Sequence, residues 1–301
     1  MTKKISICNK ALWVAIVGLM VASCDNDIVS NGEYAETDGQ LHIEVKHPSL
    51  TRAIETSFEK DDVIGLYATE YADEVAAPLQ ISGNWANNVA TTFDGTNWVH
   101  SKKIYWSDNK MDVYGYYPYM KPSSINEHVW SVQLDQSTAE TADALSGYEA
   151  SDFLWAKATG VSQEDGAATL QFAHRCSKLV IKLVKGPDYA GVFPTESELY
   201  IHNVVPTATI DFTTGAVTKY VYGEPGTIKA RRVDDETFEA IIVPQRVDTR
   251  RPFIEYIANG VSFLFDDTFV FKAGKQHTIN LMINANPDQI RVEIGGEIDG
   301  W

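Results

Sequence analysis

The chain has 301 residues, with 41 acidic against 25 basic side chains and a formal net charge of −16. An acidic surface of this size repels nucleic acid and anionic lipid, which excludes both as partners held by charge. The hydrophobic share of 44% is that of an ordinary globular chain. The three cysteines, Cys8, Cys24 and Cys176, are too few for a disulfide scaffold, so packed cores must carry the stability.

The N-terminus reads as an export signal. Lys3, Lys4 and Lys10 precede an uncharged apolar run, ALWVAIVGLMVA, over residues 11–22. A bilayer-spanning helix needs roughly twenty apolar residues, so this run is too short for a permanent span. It ends in Val21-Ala22-Ser23-Cys24, small residues leading into a cysteine, which is the pattern of a lipobox. Cleavage of residues 1–23 as a signal peptide would leave Cys24 first in the chain, acylated by palmitate-type chains. Each buried methylene contributes about 0.8 kcal/mol, so several chains on one residue anchor stably in an outer membrane. Losing residues 1–23 removes three lysines and no acids, which moves the charge from −16 to −19 (22 basic against 41 acidic). Cys8 leaves with the signal, and Cys176, beside the apolar run LVIKLV, reads as a buried, inert thiol.

Residues 24–40 are polar and acidic after the cysteine, a solvated tether. From Leu41 the period becomes two: Leu41, Ile43 and Val45 alternate with His42, Glu44 and Lys46, as in a half-buried strand. Further strands are predicted at 63–68, 89–93, 103–106 and 111–118. Asp94-Gly95-Thr96-Asn97 is predicted to form a hairpin turn with positive φ at its glycine. Residues 119–150 are looser, a short helix or a long loop, and a strand follows at 152–156. The polar stretch 159–166 is read as a break, dividing an N-terminal β-sandwich (41–160) from a C-terminal one (161–301). Strands are predicted in the second half at 168–172, 177–184, 198–204, 207–212, 216–222, 237–243, 253–258, 262–265, 277–283 and 289–294. Asn259-Gly260 marks a hairpin between two of them. No segment keeps a helical period over three turns. The fold class is therefore all-β, with two tandem sandwiches.

Catalytic chemistry is not evident. The seven histidines do not pair at metal-ligand spacing, and the H-E-x-x-H, P-loop, dinucleotide and nucleophile-elbow patterns are absent. No catalytic residue, metal or cofactor is assigned. The pairs Asp61-Asp62, Asp234-Asp235 and Asp266-Asp267 fall in breaks between strands and read as turn residues, and His174 as a structural histidine. Aromatics are dense at Tyr114, Tyr116, Tyr117 and Tyr119, with tryptophans at 85, 98, 106, 130 and 155. They fit core packing; as exposed platforms they would instead stack on sugars. A lipid-anchored surface protein that binds glycans, with Tyr116 and Trp130 as contacts, is thus the alternative to an assembly protein.

Several stretches carry a family resemblance. Thr51-Arg52-Ala53 followed by TSFEKDDVIGLY (56–67) resembles the fimbrillin (Mfa-like) family of surface lipoproteins. So do Tyr116-Tyr117-Pro118-Tyr119, the sequence DFLWA (152–156) leading to FAHR (172–175), FKAGKQH (271–277) and the closing IDGW (298–301). The resemblance implies two transthyretin-like sandwiches in tandem and a subunit of a type V pilus, as stalk, tip or anchor. Its implied partners are other fimbrial subunits, the outer membrane through lipid, and host or microbial surface ligands for a tip adhesin. It further implies that an arginine-specific protease cuts the loop after the first strand, here after Arg52. That cut would release the strand bearing Leu41, Ile43 and Val45 and leave a trough of apolar side chains and open backbone groups, a template for strand addition. The last strand, with Ile290, Val292 and Ile294 alternating with Arg291 and Glu293, repeats the inward period and is the candidate donor. Whether that strand is a donor or a fixed part of the second sandwich, and whether Thr-Arg-Ala is a cleavage site or a surface turn, both stay open at this level.

Overall fold

Period-two alternation dominates the chain because Val, Ile, Thr, Tyr and Phe fit a pleated, half-buried surface. The computed structural model describes residues 39–48, 58–248, 253–286 and 291–301, and of Val292 only the backbone. Among these residues the regular elements are strands and two short 3-10 turns, Glu149–Ser151 and Gln163–Asp165. The protein is all-β.

The principal N-terminal sheet runs, from edge to edge, Ala173–His174, Leu154–Val161, Met111–Tyr117, Val63–Ala72, Ala86–Phe93, Trp98–His100, all antiparallel. Val75–Ala76 folds back on Val63–Ala72. A two-stranded sheet lies apart from it in hydrogen bonding: Ile43–Lys46 runs parallel to Ala168–Gln171. Met111–Tyr117 is buried along its whole length. Its odd positions Met111, Val113 and Tyr117 join Leu41, Leu66, Leu154, Leu170 and Phe172 in one core. Its even positions Tyr114 and Tyr116 join Tyr67 and Phe153 in the other. One sheet therefore has a core on each face, and the described residues form one compact unit.

The second core lies between a five-stranded sheet (Arg231–Arg232, Thr237–Ile242, Ser177–Lys185, Lys275–Ile283, Arg291–Asp299) and a four-stranded one (Gly226–Lys229, Glu198–Val204, Ile254–Ala258, Val261–Phe265). Leu179, Ile181, Ile279 and Leu281 from the first sheet share it with Leu199, Ile201, Ile254 and Tyr256 from the second. Smaller sheets join Ala216–Lys219 and His128–Ser131 to Thr207–Asp211, and Gln245–Val247 to Phe269–Phe271.

The predicted turns form for the stated reasons. Gly95 has φ +99, and the Asp94 carboxylate accepts the Thr96 and Asn97 amides at 2.8 and 2.7 Å. Asn259 and Gly260 both take positive φ, 51° and 75°, as a tight primed turn requires. Three expectations differ from the outcome. Residues 103–106 form no strand, only a bridge from Tyr105 to Gln40. The loose stretch 119–150 contains a strand, His128–Ser131, paired with Thr207–Asp211; four residues are too short to show a period. The break near residue 160 does not divide the cores: Ala168, Leu170 and Phe172 return to the first, while Ile125, Val132 and Tyr148 belong to the second.

Two glycines set the spacing of these layers. A Cβ on Gly115 would stand 2.9 Å from Phe172 Cζ and 3.0 Å from Leu170 Cδ1, so its absence lets those side chains reach the sheet. On the other face, a Cβ on Gly65 would stand 2.2 Å from the ring of Tyr116, its direct partner across the strands. Tyr116 is 1% exposed and its hydroxyl donates to the Met120 carbonyl at 2.7 Å, so the ring cannot move aside. Gly65→Ala is expected to destabilise the protein by about 1–3 kcal/mol through overpacking, read as a lowered urea midpoint at unchanged slope.

Candidate strand-exchange site

The first strand is held along its length by backbone groups. Leu41 donates its amide to the Ile104 carbonyl at 2.8 Å, and Trp106 donates to the Gly39 carbonyl at 2.9 Å. On the other side, Ala168 donates to His42 O and Phe172 to Lys46 O, both at 2.8 Å. Between them Ile43 faces Ala168 and Val45 faces Leu170 in register. Leu41 is 1% exposed; Ile43 and Val45 are half-buried against the same core, and His42, Glu44 and Lys46 face solvent. The expected inward row is thus the observed one. Fully burying one such side chain is worth about 1.5–3 kcal/mol, so removing the strand would uncover a real apolar trough beside unpaired backbone.

Two histidines seat the strand at its ends. His100 lies with Nε2 3.1 Å from Leu41 O and Nδ1 2.9 Å from Thr91 Oγ1. His47 packs edge-on against Phe58 (centroids 5.2 Å apart) and His174 (5.8 Å). Burial lowers the pKa of both below the ordinary 6.5; for His100 the Leu41 carbonyl opposes this and His42 adds to it, and for His47 Pro48 O and Asp152 oppose it while His174 adds to it. The folded protein then binds fewer protons at these sites than the unfolded chain. Their contribution is present above pH 6.5 and is lost as pH falls through the lower folded values. Asp62, raised by burial, has the opposite sign and gains stability on acidification. Thermal melts between pH 7.5 and 5 are expected to show a falling midpoint, with a shallower fall in His100→Gln.

The last strand, Arg291–Asp299, is an edge strand. It pairs antiparallel with Lys275–Ile283, from Met282↔Arg291 to Lys275↔Asp299, with a register shift next to Thr278. Its described side chains are exposed on both faces, Ile294 by 65% and Ile298 by 48%. Lys272 holds Glu297 at 2.6 Å and Lys275 pairs with Asp299. Just beyond, Trp301 is 6% exposed and stacks on His174, centroids 3.7 Å apart and 17° from parallel, with Lys178 Nζ 5.3 Å from its ring. His174 in turn bonds Asp152 at 2.9 Å through Nδ1. The two end strands lie in different sheets, yet His47, His174 and Trp301 join them in one aromatic series. Sequence reasoning placed His174 as structural and missed its contacts at both ends; nothing in its local period marks them.

Other site residues fall as follows. Cys24, Arg52 and Ile290 lie outside the described residues, as do residues 24–38 of the expected tether. Cys176 is fully buried and its thiol is pushed up by that burial. Asp62 accepts the Glu59 amide and the Tyr117 hydroxyl, Asp234 the Glu236 amide and Asp267 the Thr268 amide, which is turn chemistry. Among the described residues no group of three His, Cys, Asp or Glu is placed to hold a metal ion. The proposed sugar contacts are corrected: Tyr116 is core, and Trp130 packs against the same core beside Phe153, 6.1 Å between centroids. Neither is an exposed platform.

No curated protein matches the chain. Among solved structures it is similar to a candidate cell adhesion protein from Bacteroides uniformis, at 20% identity and a TM-score of 0.64, over 89% of this chain and 100% of that one. It is likewise similar to one from Bacteroides ovatus, at 17% identity and a TM-score of 0.64, over 86% and 96%. At these identities the likeness establishes the β-sandwich fold. The fimbrillin-like family model matches residues 51–301, nearly all of the region after the first strand, and on that match the chain belongs to the fimbrillin-like family.

Proposed function

We propose that this protein is a structural fimbrial subunit that assembles by donor-strand exchange. The observation that carries the reading is the seating of the first strand. Ile43–Lys46 is bound by main-chain hydrogen bonds and by one row of apolar side chains, the two features that another strand can reproduce. Proteolysis after Arg52 removes that strand together with the lipid on Cys24. The opened trough then takes a strand of similar alternation from another subunit, and Ile290, Val292 and Ile294 of the last strand supply it. The exposed, edge position of Arg291–Asp299 supports this, since a strand with no buried described side chain leaves its place at small loss. Because the released strand does not return, assembly runs one way. The lipid delivers the precursor to the outer surface, and the role is structural, with other fimbrial subunits as partners.

The test is incubation of the purified precursor with an arginine-specific protease, followed by an unboiled gel. A ladder of SDS-resistant multimers is expected. A single trimmed band, unchanged by adding other subunits, would contradict the reading. Polymerisation of Arg52→Ala would move the cleavage site and leave the exchange intact.

A further inference from the structure

A nine-residue strand whose described side chains are all exposed needs something besides side-chain burial to stay in place. Arg291–Asp299 carries two adjacent glycines, Gly295 and Gly296, at its register shift, which weakens it as a strand. Its ion pairs are at the surface, where such pairs contribute little. Among the described side chains of residues 291–301, the buried one is Trp301, flat against His174 and under Lys178. The indole Nε1 finds no hydrogen-bond partner among the described residues, so this seat is good for the ring and poor for the N–H, and can be vacated.

His174, on which Trp301 stacks, also touches the residue that follows the first strand. His47 makes a T-shaped ring contact with His174, and Lys46 O accepts the amide of Phe172, two residues before it. Loss of the first strand takes away both the His47 ring that contacts His174 and the hydrogen bond that fixes the approach to it. We propose that Trp301 is a latch that keeps the last strand on its own subunit, and that removal of the first strand opens it through His47 and His174. The donor would thus stay sheathed until its own subunit has been cut. The latch itself stands on the contacts above; its link to cleavage rests on the strand-exchange reading.

Hydrogen exchange of the uncleaved chain, followed on peptides covering 275–283 and 291–301, tests it. Trp301→Ala is expected to speed exchange over 291–299 by about tenfold or more while 275–283 keeps its protection toward the core side, as for a local opening. Trp301→Phe, which retains a stacking ring, is expected to preserve most of the protection, and His47→Ala to lose part of it. Wild-type protein, cut and stripped of the first strand, should exchange over 291–299 as fast as uncut Trp301→Ala. Unchanged exchange in Trp301→Ala overturns the latch. Fast exchange in that variant with full protection in the cut wild type overturns the link to the first strand. If the cut protein shows released 291–299 but forms no multimers, the latch stands and the strand-exchange reading fails.

Discussion

Phe172→Ala is expected to lower stability by about 3–5 kcal/mol, the range for deleting a buried aromatic ring. Phe172 is 1% exposed and meets Phe58 edge-on at 5.4 Å between centroids. Its ring tip reaches the bare backbone of Gly115, a gap it fills together with Leu170. Alanine leaves that space open, and neither neighbour can close it: Gly115 has no side chain, and Leu170 already occupies its own position on the same glycine. The effect extends to the first strand, since Phe172 shares its core with Leu41, Ile43 and Val45. Urea unfolding should show the loss, and hydrogen exchange over 39–48 should show the strand loosened before global unfolding.

Gln136→Leu is the second large effect, about 2–6 kcal/mol, from two buried backbone groups left without partners at roughly 1–3 kcal/mol each. Gln136 is 1% exposed, and its amide accepts from Ile241 N at 2.7 Å and donates to Ile241 O at 2.8 Å. One side chain thus does for Ile241 what a neighbouring strand would do. Gln245 does the same for Val205, accepting its amide and donating to its carbonyl, both at 2.9 Å. Leucine matches glutamine in bulk and offers neither bond. A midpoint shift well beyond that of a surface Gln→Leu control, such as Gln80→Leu, is the expected result.

These two sites mark what the sequence can and cannot express. Leu41, Ile43 and Val45 were legible as an inward row because alternation names the buried face directly. Alternation does not name the neighbour, so the parallel pairing with Ala168–Gln171, reached across a polar stretch, was not visible. The same stretch was read as a division between sandwiches, because polar composition marks a turn whether or not the chain changes core. Tyr114, Tyr116 and Tyr117 were read as one cluster; the strand sends Tyr114 and Tyr116 into one core and Tyr117 into the other. Gln136 lay in a Ser/Thr-rich stretch that reads as loop, and only the fold brings it to Ile241. Trp301 entered as part of a family ending, and its value lies in His174, more than a hundred residues earlier.

The strand-exchange account is tested most directly by the identity of the strand that lies beside Ala168–Gln171 after assembly. Thr169→Cys subunits, cut and mixed with cut subunits carrying a single cysteine at Arg291, Glu293 or Glu297, place the two elements in question within reach of a disulfide. Thr169 sits opposite Glu44 of the native first strand, so an incoming strand must bring one residue to that place. The account predicts a disulfide between chains at one of these positions and at its own register alone. Multimers that form without any such crosslink, or crosslinks confined within single chains, would contradict it.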